Sequence, residues 1–464
     1  MIERCFRICV FVAMMCGSLS LMSGQEPQWK VFGHLKEGRT LFGTALIGQG
    51  KVLVIGGFTQ QKGLQSERLR GVVSNSCEII DILAHQIIAA PSTVVPHSAS
   101  VILTMKDSNI VVVSGLTTDS TTTPICEMYD RKRNNWRVLG SLIWGRHAHS
   151  AVFINDEEIL VVGGHPNFNY APKIAEAEIF NIRTGRSRSI NDFPCKIVGP
   201  CGVESRFLAR GKPIFFGGRS GGERSYQDAG IYSYDAMSER WFQITRLPGT
   251  AHTMNVARLF DGRLIAAGGV RWQTNARTTS ANQLIALETE TGFSVVGTKI
   301  KPLIVGGIGE WNNEIILFFG GHDETRAAQA YTEWFDLKTY QSLEGPPLKF
   351  ARFFCASVSV PTFDERGNQR GACILAIAGE GTENRSLSSV EILETTNPQL
   401  LEIPNSEIAS QRLKQLLTSP AVIATLAIFI LVLITGLLYL LYQVLAIRRQ
   451  SKFSYQSNAV EGQK

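Results

Sequence analysis

Val52-Leu53-Val54-Ile55-Gly56-Gly57, VLVIGG, is a run of aliphatic residues that stops at paired glycines. Short apolar runs bounded by turn residues read as buried strands. The pattern returns as VVVSG to Gly115, LVVGG to Gly164, IFFGG to Gly218, LIAAGG to Gly269, ILFFGG to Gly321 and LAIAG to Gly379. Successive steps are 58, 49, 54, 51, 52 and 58 residues apart, the periodicity of a repeat architecture. A strand that ends by turning sharply against a neighbour requires positive φ or no Cβ, which is the physical reason for glycine there.

A second feature follows each step after a polar stretch of variable length. It reads CEIID (Cys77–Asp81), CEMYD (Cys126–Asp130), AEIFN (Ala177–Asn181), IYSYD (Ile231–Asp235), LIALE (Leu284–Glu288), TEWFD (Thr332–Asp336) and VEILE (Val390–Glu394). With an upstream strand such as HSAVFI and an outer one such as WRVLG, each unit is a small antiparallel sheet. The glycines do not belong to a nucleotide-binding loop, because no G-x-G-x-x-G or Walker pattern leads into a helix.

These residues resemble the kelch repeat. The double glycine is present in five units and degenerate in two, at Ser114-Gly115 and Ala378-Gly379. The spaced tyrosine and tryptophan are found at Tyr129/Trp136 and Tyr234/Trp241, and the other five units lack that pair. The resemblance implies an all-β fold, a seven-bladed kelch-like β-propeller of about four strands per blade.

The fragment WKVFGHLKEGR, Trp29 to Arg39, is echoed by WRVLGSLIWGR, Trp136 to Arg146. It therefore reads as an outer strand without inner strands of its own, donated to the seventh unit so that the ring has no open edge. The rival closure uses QLLEI, Gln399 to Ile403, as the seventh unit's own outer strand. The first is favoured.

Arg4 and Arg7 precede an apolar run from Ile8 to Met22, the layout of a secretory signal peptide, assigned to residues 1–24. Ser20, Ser23 and Gly24 offer alternative small residues for cleavage. Residues 25–404 are assigned to the propeller and 405–419 to a stalk. Residues 420–447 carry no charge, which exceeds the roughly 20 residues a membrane-crossing helix needs. Ser419-Pro420 suits its start, and Arg448, Arg449 and Lys452 place the 448–464 tail in the cytoplasm. The expectation is a single-pass membrane protein whose bulk is extracytoplasmic: cell-surface, periplasmic or lumenal.

That compartment permits disulfides among Cys77, Cys126, Cys195, Cys201, Cys355 and Cys373. Six cysteines allow fifteen pairings, and Cys195 with Cys201 is the pair that one short loop brings close. The formal charge of +6 is spread without a basic block, so nucleic acid is not expected as a partner. Asn384-Arg385-Ser386 is the sole sequon for N-glycosylation.

Binding residues concentrate on loops held by a rigid scaffold. The residues that follow each glycine step, Phe58, Leu116, His165, Arg219, Val270, His322 and Glu380, are expected to approach the central channel. His165, Arg219, His322 and Glu380, with Tyr170, Tyr226 and Trp272 on the same loops, form the expected ligand-binding set. Phe168, Arg224, Arg271, Arg326 and Asn384 extend it. Arg146-His147-Ala148-His149 invites a metal reading, but kelch-like units carry a structural Arg/His pair there and no third ligand has a recognisable spacing. No metal or cofactor is expected.

The reading is a non-enzymatic interaction platform that binds a protein or a glycan, or serves as an accessory subunit of a membrane complex. The alternative is a carbohydrate-active propeller. An oxidase resembling galactose oxidase would need a cysteine-linked tyrosine, two histidines and a second tyrosine, a set that cannot be placed here. A mutarotase would need an acid and a base, for which His165, His322 and Glu380 are the available groups.

Overall fold

In the computed structural model, the described residues run from 27 to 394, except 49, 60–71, 119–120, 168–173, 175, 195–196, 206, 221–229, 248–254, 269–283, 302, 324 and 364–368. Residues 1–26 and 395–464 lie outside them, and with them the signal-peptide, stalk, span and tail assignments. Among the described residues no helix is long and apolar enough to cross a membrane. They hold no α-helix, only a 3-10 turn at Thr382–Asn384.

The strands form seven four-stranded antiparallel sheets, together with a two-stranded and a three-stranded one. The second sheet shows the plan: Val101–Thr104, Ile110–Leu116, Thr122–Asp130 and Asn135–Ser141 pair in chain order. First strands of successive sheets lie against one another, 43–48 on 101–104 and 101–104 on 150–153, and 356–363 returns to 43–48. The fold is an all-β propeller.

The glycine strand is apolar throughout because both of its faces are covered. Side chains alternate along a strand, so Val52 and Val54 enter the core shared with the last sheet, while Leu53 and Ile55 enter the core shared with the second. Val111 and Val113 face the third sheet, whereas Ile110 and Val112 face the first. The same division continues around the ring through Leu160, Phe216, Ile265 and their neighbours.

Strand Gln28–His34 pairs antiparallel with Ser389–Glu394, so the N-terminal strand completes the last sheet as expected. Its register repeats that of the second sheet. Trp29 lies opposite Leu393 as Trp136 lies opposite Tyr129, and both outer strands slip register ahead of a glycine, Gly33 or Gly140. Trp29 is fully buried, packs on Phe319 at 5.0 Å and donates its indole N–H to Thr332 Oγ1 at 3.2 Å. One side chain thus joins the start of the chain to the sixth sheet.

The glycine steps turn as the sequence requires. Gly56 and Gly57 have φ of 58° and 97°, and a Cβ on Gly57 would lie 2.8 Å from the Thr40 carbonyl oxygen. Ser114 and Ala378, which replace the first glycine, keep the left-handed backbone at 53° and 47°. Ser114 gains in return, since its hydroxyl accepts the Arg146 N–H and donates to the Thr123 carbonyl.

Buried glutamates join the sheets. Glu78, Glu127, Glu178, Glu333 and Glu391, the second residues of the CEIID-type strands, are all buried. Each accepts backbone N–H groups from the segment that arrives from the preceding sheet: Lys36 on Glu78, Val94 and Val95 on Glu127, Ile143 on Glu178, Ile300 on Glu333, and Lys349 and Phe350 on Glu391. Four also hold a buried side-chain donor: Arg39 at 2.7 Å from Glu78, His97 at 3.0 Å from Glu127, Arg146 at 2.6 Å from Glu178 and Arg352 at 2.5 Å from Glu391. The guanidinium groups of Arg39, Arg146 and Arg352 donate further to carbonyls at the glycine step or the acidic strand, such as Gly56, Gly163 and Ala378.

Where the cation is absent the chain compensates. In the fourth sheet Ile197 stands at the arginine position and Tyr232 at the glutamate position, so both charges are gone together. In the sixth Leu303 replaces the arginine. Lys299 is buried there instead, donating to the Leu303 carbonyl at 3.1 Å. Burial lowers its pKa to about 8, with Glu333 acting the other way.

Removing one partner of a buried, hydrogen-bonded charge pair costs about 3–5 kcal/mol. Arg352→Ala is therefore expected to lower the unfolding free energy of the full chain by about that amount in chemical denaturation. A loss below about 1 kcal/mol, the usual worth of an exposed pair, would contradict this account.

Candidate functional site

The residues after the glycine steps do not stand alone. Six of the seven, those among the described residues, pair across a short antiparallel bridge with the residue after the arginine position: Phe58 with Thr40, Leu116 with Ser98, His165 with His147, Arg219 with Val198, His322 with Ile304, and Glu380 with Phe353. The next residues, Leu41, Ala99, Ala148, Gly199, Val305 and Phe354, all have positive φ between 48° and 64°. Ala99 N–H donates to the Leu41 carbonyl, Ala148 to Ala99, Gly199 to Ala148 and Phe354 to Val305, so a belt of main-chain hydrogen bonds runs between sheets. Left-handed backbone at a β-branched residue such as Val305 is strained, and the belt holds it in place. The candidate site rests on this rigid footing.

Its character changes around the ring. Phe58 and Leu116 are buried with Val73 in an apolar cluster, so the first two sheets contribute packing. His165 and His147 face each other with ring centroids 5.6 Å apart, and His147 Nε2 donates to the Asn167 carbonyl at 3.2 Å. The backbone of Arg219 pairs with Val198. His322 and Glu380 flank Phe353: the His322 ring meets Phe353 edge-on at 5.1 Å, and Phe353 exchanges both backbone hydrogen bonds with Glu380. Tyr170, Tyr226, Trp272, Val270, Phe168, Arg224 and Arg271 lie outside the described residues, as does Cys195 of the expected disulfide. Asn384 closes the 3-10 turn, beside an exposed Glu383–Arg385 ion pair.

Apart from His147, reasoning from sequence missed the second member of the bridges, Phe353 above all. The signal was present in register, because Phe353 follows Arg352 as His147 follows Arg146.

Electrostatics separate the groups further. Burial pushes His147 down to about 4, and burial with the adjacent Arg146 pushes His149 down to about 3. No well-formed hydrogen bond reaches either ring nitrogen of His149 among the described residues. Glu380 is raised by burial, with Arg326 opposing the shift.

No protein-family model matches the chain, and no curated protein sequence matches it. Solved structures do. A fungal alcohol oxidase of the AA5 family, solved in complex with copper, aligns over 80% of this chain and 77% of its own, with a TM-score of 0.57 and 12% identity. A structure of YjhT aligns over 66% of this chain and 99% of its own, with a TM-score of 0.47 and 15% identity. At such identities the likeness shows the fold alone, a β-propeller.

The likeness to a copper enzyme raises the question of a metal. Among the described residues no three or more His, Cys, Asp or Glu side chains are grouped to hold one, and the facing pair of His147 and His165 is not joined by a third ligand of these types.

His147 and His149 are held neutral in the fold, whereas unfolded histidine titrates near pH 6.5. The unfolded chain thus binds more protons below that pH, so stability falls as pH drops from about 6.5 through about 4. His149→Phe is expected to make this loss shallower in denaturant melts at pH 7 and pH 5. An unchanged pH slope would show that the imidazole is not responsible.

Proposed function

We propose that the protein is a non-enzymatic binding platform, a seven-bladed propeller anchored by the 420–447 span and displayed outside the cytoplasm. The ligand is a protein or a glycan at the face of the glycine loops, or the propeller acts as an accessory subunit of a membrane complex. His165, Arg219, His322 and Glu380 are the proposed contacts, with Tyr170, Tyr226 and Trp272.

One observation carries this reading. Around the ring the ionisable groups that sit deepest are committed to architecture, whereas the connections on one face are free to vary. Glu78, Glu127, Glu178 and Glu391 are each held on both carboxylate oxygens by backbone N–H groups and a side-chain donor. The segments between the glycine strand and the next strand of the sheet range from 117–121 in the second sheet to 56–76 in the first. A rigid ring with variable loops on one face suits recognition. A catalytic channel would need an acid and a base brought into reach of one substrate.

The test is the set of proteins that co-purify with the full-length chain from its native membrane in mild detergent, quantified by mass spectrometry. A partner at fixed stoichiometry that is lost when His322 and Glu380 are changed together to alanine is the expected result. A chain that carries no partner above background, yet converts a small sugar as a purified protein, would overturn the platform and establish the carbohydrate-active alternative.

A further inference from the structure

The corner between the sixth and seventh sheets has a chemistry of its own. Glu380 and Phe353 are directly opposed on an antiparallel bridge. Their side chains therefore project to the same side, roughly 5 Å apart at Cβ. Glu380 is only 7% exposed, yet among the described residues no hydrogen bond or ion pair within 4 Å reaches its carboxylate. Arg326 influences it through space without pairing, and Arg326 is itself exposed. Glu78, Glu127, Glu178 and Glu391 have partners on both carboxylate oxygens, and Glu333 and Glu310 on one each; among the described residues Glu380 has a partner on neither.

His322 adds a second acceptor. Its Nδ1 lies 2.7 Å from the Asp323 carbonyl oxygen, which can only accept, so Nδ1 carries a hydrogen and Nε2 is the nitrogen left to accept. The Asp323 carboxylate is occupied by Thr325, Ala327 and Gln329, which holds the turn that carries His322. The corner thus offers a desolvated carboxylate, an imidazole lone pair and an aromatic wall. A neutral hydroxyl would leave the carboxylate's charge uncompensated in a poorly solvated site, whereas a cation with several N–H donors would meet both acceptors.

We propose that the His322–Phe353–Glu380 corner is a subsite for a basic side chain of a protein partner, a lysine ammonium or arginine guanidinium seated on the Glu380 carboxylate. This rests on the platform reading and narrows its ligand from protein or glycan to a protein with an exposed basic residue. The chain's own formal charge of +6 disfavours indiscriminate binding of basic peptides, so binding at this corner stands out from background.

The test uses the full-length chain in detergent and a fluorescent tri-lysine peptide, read by anisotropy, beside its lysine-acetylated form and a neutral oligosaccharide. The tri-lysine peptide is expected to bind and its acetylated form not to. Glu380→Gln should weaken binding tenfold or more, and Glu383→Gln, an exposed carboxylate already paired with Arg385, should change it less than twofold. Should Glu380→Gln fail to fold, the wild-type pH profile decides, because affinity must fall on the acid side as the carboxyl takes up its proton. Equal binding of the acetylated peptide, no effect of Glu380→Gln, or binding of the oligosaccharide alone would overturn the inference. If a stoichiometric partner persists while the peptide fails to bind, only this inference falls; if the partner is absent too, the platform falls with it.

Discussion

A carboxylate taken out of water must be given partners, and in this protein that constraint sets how the sheets are joined. The buried glutamates at positions 78, 127, 178, 333 and 391 each capture the backbone of the segment that arrives from the sheet before. Apolar cores between sheets supply most of the driving force, but they are not directional. The glutamates supply direction: they fix where each linking segment crosses, and so where the next inner strand begins. The left-handed belt and the bridged pairs above it take their places from that crossing.

Paired substitution supports this view. Where Ile197 removes the cation, Tyr232 removes the carboxylate, and no charge is left buried alone. Where Leu303 removes it but Glu333 remains, Lys299 enters from a different point of the chain. In the second sheet His97 does the work of arginine, with Nδ1 on the Ser114 carbonyl and Nε2 on Glu127. The joint thus accepts different side-chain donors beside the glutamate. Closure obeys the same logic, because Trp29 occupies the outer-strand position that Trp136 and Trp241 hold in their own sheets.

Much of this was legible in the sequence. The glycine steps announce positive φ, and Ser114 and Ala378 adopt it although they are not glycine. The echo of WRVLGSL in WKVFGHL placed the closing strand, because it repeats the tryptophan and the glycine at which both strands slip register. What could not be read was which charged residues are buried. Glu78 and Asp81 lie in the same short strand, and only the path of the neighbouring segment makes one a joint and the other a turn anchor holding Ala84 N–H. The candidate site was half legible. The residues after each glycine step follow from register, but the pairing of Glu380 with Phe353 is a contact between segments, and the tautomer of His322 follows from a carbonyl that only the folded turn supplies.

The most direct test of this account is native-state hydrogen exchange on the full-length chain, resolved to the linking segments. The amides of Val94, Val95, Ile143, Ile300, Lys349 and Phe350 lie in short connections with exposed neighbours, yet each donates to a buried glutamate. If the glutamates join the sheets, these amides exchange as slowly as the central strands and open only with global unfolding. Exchange as fast as that of the exposed turn at 106–109 would mean that the cores alone hold the ring, and that the buried charges are passengers in it.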